Sequence, residues 1–173
     1  GTFTFLHAAD LHLDSPLRGL STYPGAPAER IRVATREAFE RLVDAAIERK
    51  VNFVFLAGDL FDGDWKDHAA GLWLMSRLAR LSEAGIRSFL IRGNHDAESK
   101  MTKRLSLPDG AHEFPSRRAE TVRIDELGVA LHGRSYAVPH VEANLVPDYP
   151  APVAGLVNVG LLHTGLEGYE GHG

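Results

Sequence analysis

The chain is predicted to be an α/β protein with a mainly parallel sheet and flanking helices, and three features of its 173 residues predict it. Apolar runs of strand length lie at Phe3 to His7, Val51 to Leu56 and Ile86 to Ile91. The segments between them are long enough to hold a helix, which is how parallel neighbours are connected. Each run also closes in residue types that bind hard divalent cations: Asp10-Leu11-His12, Gly58-Asp59-Leu60-Phe61-Asp62 and Gly93-Asn94-His95-Asp96. Parallel strands bring their carboxyl ends to one sheet edge, where ligands bind, so the three segments are expected to converge there.

The elements follow in order. After the first strand, the stretch from Asp14 to Pro27 is rich in proline and glycine and reads as a loop over the sheet edge. From Ala28 to Lys50, Ile31, Ala38, Leu42 and Ala45, flanked by Phe39 and Ala46, recur at helical spacing between charges. A second amphipathic helix is expected from about Asp67 to Ala84, with Leu72, Met75, Leu78, Ala79 and Leu81 facing inward and Gly85 as its stop. Both apolar stripes are read as core packing. Past Gly93, a short basic segment from Lys100 to Arg104 precedes a hairpin of Thr121 to Ile124 and Val129 to His132, turning at Glu126-Leu127-Gly128. Prolines at 139, 147, 150 and 152 mark a long irregular connection, and a last apolar strand, Leu156 to Leu162, delivers His163.

Composition narrows the chemistry. With 44% hydrophobic residues the length suits one globular domain, 1–173, with no separate cap. No cysteine is present, so a metal here must take oxygen and imidazole ligands; manganese, magnesium, iron and zinc all fit. The net charge of -4 gives no global attraction to nucleic acid. No apolar stretch approaches the ~20 residues that span a bilayer and no signal-type segment opens the chain, so a cytoplasmic location is expected.

In extended chain, side chains two apart share a face, so Asp10 and His12 are expected to grip one ion together. The Asp59 carboxylate has two oxygens to divide between ions, with Gly58 allowing a tight turn before it. Asn94 offers a neutral amide oxygen. His95, facing elsewhere, suits protonation of a departing oxygen, with Asp96 orienting its imidazole. Asp62 is read as a hydrogen-bonding support and not a ligand. Each piece has a plainer explanation, since Gly-Asp is turn chemistry and strand-end aspartates cap helices. Asp14, Asp64 and Trp65 read as solvated loop residues near the site, Lys100, Lys103 and Arg104 as a solvated helix face, and His7, His68, His112, His132 and His140 as structural or exposed.

These segments, with Leu162-His163, resemble the calcineurin-like metallophosphoesterases, in that family's order and over nearly the whole chain. The stretches Asp10 to Leu17, Gly58 to Lys66 and Ile91 to Glu98 are similar to the DNA repair exonuclease branch, the SbcD-type and especially YhaO-type proteins. The resemblance implies a layered αββα sandwich and metal-dependent phosphodiester hydrolysis by a DNA exonuclease or endonuclease. It implies two divalent ions, Mn2+ by custom with Mg2+, Fe2+ and Zn2+ as alternatives. Asp10, His12 and Asp59 would hold one ion, Asp59, Asn94 and His163 the other, and His95 would assist the leaving group. Implied partners are DNA and an SMC-like ATPase.

The family's late Gly-His-x-His motif is met only by Gly171-His172-Gly173, which lacks the second histidine. The expectation is a chain cut short before that motif, with weak metal occupancy, little activity and self-association as a homodimer or higher oligomer through its open final strand. Two alternatives stay open: a phosphatase or cyclic-nucleotide phosphodiesterase using the same ligands, and an inactive fragment or partner-binding module.

Overall fold

The computed structural model describes residues 2–15, 28–62, 68–98 and 106–165. Four strands, β1 (Phe5–Ala8), β2 (Phe53–Ala57), β3 (Arg87–Ile91) and β4 (Ala111–Glu113), form a parallel sheet in the order β1-β2-β3-β4. Helices α1 (Ala28–Glu48) and α2 (His68–Glu83) make the crossovers, and a short α3 (Asn94–Glu98) follows β3. A second sheet holds β5 (Glu120–Ile124), β6 (Val129–Gly133) and β7 (Val157–Leu161). Within it β5 and β6 are antiparallel, turning through Asp125–Leu127, while β7 runs parallel to β6.

Alternation along β2 and β3 explains why both strands read as unbroken apolar runs. Val54, Leu56 and Leu90 point into one core with Phe39, Val43 and Ala46 of α1 and Leu74, Leu78 and Leu81 of α2. Phe53, Phe55, Ala57, Phe89 and Ile91 point the other way, into a second core with Ile124, Val129, Leu131 and Leu161. The first sheet is therefore covered on both faces, by helices on one side and by the second sheet on the other. A third, small cluster seats Tyr136 and Leu145 on Ala97 of α3.

Two expectations are corrected here, and one strand is added. The buried face of α1 is Phe39, Val43 and Ala46, and Ala38 is exposed, so the stripe is displaced by one residue. On α2, Leu72 is 65% exposed and Ala70 and Leu74 take the core positions. The strand β4 carries too few apolar residues to signal itself; its pairing with β3, Ser88 to Ala111 through Leu90 to Glu113, makes it a strand. The basic segment from Lys100 to Arg104, with Asp64, Trp65 and His172, lies outside the described residues.

Candidate metal centre at the carboxyl edge of the first sheet

Past Ala8 the chain leaves β1 but stays hydrogen-bonded to the segment after β2. Asp10 N–H donates to the Gly58 carbonyl at 3.0 Å, His12 N–H to Asp59 at 3.0 Å and Leu13 N–H to Leu60 at 2.8 Å. Asp10, His12 and Asp59 all hold left-handed backbone, with φ of 53°, 42° and 52°. The extended-chain premise for Asp10 and His12 is thus overturned. Non-glycine residues in this region cost roughly 1–3 kcal/mol each and cluster where function over-determines the backbone, with Asp and His among the more tolerant types.

The Asp10 and Asp59 carboxylates and the His163 imidazole offer ligand atoms all within 4.8 Å of one another. They share a cleft of about 620 Å³ with His12, Asn94, His95, Tyr136 and His7. His163 arrives from the end of β7, which the half-buried Tyr149 secures by donating its hydroxyl proton to the Leu161 carbonyl. Burial pushes the Tyr149 pKa up to about 12, so that hydroxyl stays a donor at all ordinary pH. Two glycines make the approach possible. A Cβ on Gly58 (φ 92°) would overlap the His163 ring, and one on Gly93 would overlap the Asp59 carboxylate.

His163 Nδ1 donates to the Ala57 carbonyl at 2.9 Å, leaving Nε2 3.2 Å from Asn94 Oδ1 and 3.4 Å from Asp59 Oδ2. The hydrogen bond to Asp59 raises the His163 pKa to about 9 against the opposing effect of burial, with the Ala57 carbonyl and the charges of Asp59 and Asp10 assisting. For Asp59, burial works upward, but His163 and the His95 backbone N–H, 3.1 Å from Oδ1, hold the carboxyl below its ordinary value. An ionised carboxylate beside a strong donor is the condition in which a cation can replace a proton.

His12 lines the same cleft without joining the tight trio. Its Nδ1 lies 2.6 Å from Asp62 Oδ1, and Ser15 donates its hydroxyl proton to the other Asp62 oxygen. Asp62 is the supporting group its sequence position suggested. The His12 and His95 rings meet edge to face with centroids 5.2 Å apart.

Asp96 has a task that its place in the sequence did not signal. Fully buried, its carboxylate accepts from the backbone N–H of Leu60 (3.1 Å), Phe61 (3.0 Å) and Gly93 (3.0 Å), so it clamps the Asp59 loop to the Asn94 loop. Burial pushes its pKa up despite those three donors, and the nearby Asp59 charge adds to the rise. Asp14, read as a solvated loop residue, is only 3% exposed and bound by Arg36. Tyr136 carries no spacing signal, yet its ring meets His163 edge to face at 5.8 Å. His7, read as structural or exposed, lies at the cleft wall.

The model of the calcineurin-like phosphoesterase family matches residues 3–166. A protein of Bacillus subtilis (strain 168) described as uncharacterized metallophosphoesterase YhaO is 36% identical over 98% of this chain and 42% of its own length. A protein of Methanopyrus kandleri described as DNA double-strand break repair protein Mre11 is 26% identical over 94% of this chain and 38% of its own length. A Sulfurisphaera tokodaii protein of the same description is 38% identical across 66 residues, 38% of this chain and 17% of its own length. The chain spans about two fifths of the length of the first two.

Proposed function

Because the chain belongs to the calcineurin-like phosphoesterase family, we propose that it takes part in metal-dependent hydrolysis of DNA phosphodiesters, as an exonuclease or endonuclease of the strand-break repair type. The observation that carries this reading is the convergence of Asp10, Asp59 and His163 within 4.8 Å in a cleft that also holds His12, Asn94 and His95. Carboxylate oxygens, an amide oxygen and imidazole nitrogens form a donor set suited to manganese and its neighbours, and the missing Cβ atoms of Gly58 and Gly93 let the His163 ring and the Asp59 carboxylate approach closely enough to share it. Asp10, His12 and Asp59 would hold one ion, and Asp59, Asn94 and His163 a second.

Paired cations supply charge against the phosphoryl oxygens and make water acidic enough to deprotonate near neutral pH. The protein's own residues do the rest. Asp62 fixes the His12 ring by its Nδ1, and the Ala57 carbonyl fixes His163 by its Nδ1, so each turns Nε2 away from its support. Asp96 keeps the second and third loops in mutual register through three backbone N–H groups. His95, its backbone tied to Asp59, protonates the departing oxygen.

DNA as substrate is supported by the descriptions of the two Mre11 relatives as double-strand break repair proteins. No helix of the described residues is long and apolar enough to cross a membrane; in this reading the chain acts in the cytoplasm beside an ATPase partner. The test compares Mn2+-dependent turnover of linear duplex DNA, single-stranded DNA, a cyclic nucleotide and a phosphomonoester by the purified chain and by Asp59→Asn. DNA cleavage lost in the variant supports the reading; turnover confined to the monoester or cyclic nucleotide overturns it in favour of a phosphatase or cyclic-nucleotide enzyme.

A further inference from the structure

The loop that carries Asp10 and His12 ends in a third left-handed residue, Asp14, with φ of 56°. Its carboxylate is buried and held in a fork by one guanidinium: Arg36 Nε donates to Oδ1 at 2.7 Å and Nη2 donates to Oδ2. Arg36 belongs to α1, and its guanidinium also lies 5.3 Å from the centre of the Trp73 ring on α2. On the opposite side of the same loop, Ser15 and His12 both bind Asp62, while Ser15 N–H returns to the His12 carbonyl at 3.0 Å. The loop is thus gripped from two directions, from the Asp62 segment and from the helix layer.

We infer that the Asp14–Arg36 ion pair is a positioning device for the metal centre, fixing the left-handed backbone that aims Asp10 and His12 into the cleft. A buried ion pair is weak evidence for stability, because apolar groups of equal volume often serve as well. Its strength is orientation: the planar fork accepts one carboxylate geometry, and that carboxylate sits two residues beyond His12. Three adjacent alternate residues in sparsely populated backbone need constraint from outside the loop, and α1 provides it. The inference rests on the metal-centre reading above, and its test separates the two.

Mn2+ alone is titrated into the full chain and into Asp14→Asn, Arg36→Gln and Arg36→Lys, and amide exchange of His12 and Leu13 is measured in the same proteins without metal. Glu40→Gln is the control, because Glu40 ties α1 to Arg77 and Arg80 of α2 and has no place in the centre. Asp14→Asn and Arg36→Gln are expected to weaken Mn2+ binding 10–100-fold, the usual loss when a group behind a ligand is removed. They should also speed exchange at His12 and Leu13, whose N–H groups bond the β2 loop. Arg36→Lys should recover only part of the affinity, since it restores charge without the fork. Glu40→Gln should stay within about twofold of the parent protein. Unchanged exchange in a folded Asp14→Asn, or an equal loss in Glu40→Gln, overturns the inference. Failure of the parent protein to bind Mn2+ overturns the metal-centre reading instead, and the exchange measurement then still decides whether the pair fixes the loop.

Discussion

Asp62 Oδ1 stands 2.6 Å from His12 Nδ1, an aspartate fifty positions downstream holding the ring of a first-loop histidine. The pairing fixes the tautomer and direction of the ring and makes its free nitrogen a better donor to a cation. Asp62→Ala should therefore lower Mn2+ affinity and phosphodiesterase activity about 10–100-fold. Metal titration alongside circular dichroism checks this; full affinity in the variant would remove Asp62 from the centre.

The metal-free protein should lose stability as pH rises through the His163 transition. Its folded pKa of about 9 lies above the ordinary histidine value of 6.5, so the bonus from the charged ring is complete below about 6.5 and fades as pH climbs through about 9. Urea midpoints measured without metal between pH 6 and 10 should decline over that window, and His163→Gln should flatten this part of the profile. Any cation that binds there must displace the same proton, so apparent metal affinity should rise over the same interval.

Removing the Asp96 carboxylate should damage the fold as well as the chemistry. Asp96→Ala leaves the Leu60, Phe61 and Gly93 N–H groups without their shared acceptor. An unsatisfied buried donor costs about 1–3 kcal/mol. The loss expected in denaturant unfolding is about 3–5 kcal/mol, allowing for partial rescue by water. A change below about 1 kcal/mol would show that the clamp is dispensable.

Neighbouring leucines of α2 should behave in opposite ways. Leu74 is fully buried between α1 and the sheet, so Leu74→Ala should cost about 2–5 kcal/mol. Leu72, exposed, should accept glutamine within about 0.5 kcal/mol. Thermal or urea unfolding of the two variants checks the phase of the helix directly.

Much of the molecule was legible in order of residues alone, and for identifiable reasons. The runs at Val51 to Leu56 and Ile86 to Ile91 became β2 and β3 because strands packed on both faces must be apolar throughout. The Glu126-Leu127-Gly128 turn lies between an antiparallel pair, as its spacing implied. Helix phase was less secure: Ala38 and Leu72 fit an apolar stripe, but alanine and leucine are common on surfaces, and only the neighbouring layer decides which 100° arc is covered.

At the site, the strand-end motifs singled out Asp10 and Asp59 as candidates, the family resemblance added His163, and the structure brings the three within 4.8 Å of one another. Tertiary structure decided their relationships. It set Asp10 and His12 in left-handed backbone where an extended strand was expected, with their N–H groups bonded to the Gly58 and Asp59 carbonyls of a segment far away in sequence. It drew Asp14 out of solvent onto Arg36 and gave Asp96 to three backbone N–H groups, since a carboxylate buried by its surroundings binds whatever donors those surroundings supply. Side-chain chemistry is written locally in the chain; donor, acceptor and burial are properties of segments that meet from far apart, and they exist only once the sheets have closed on each other.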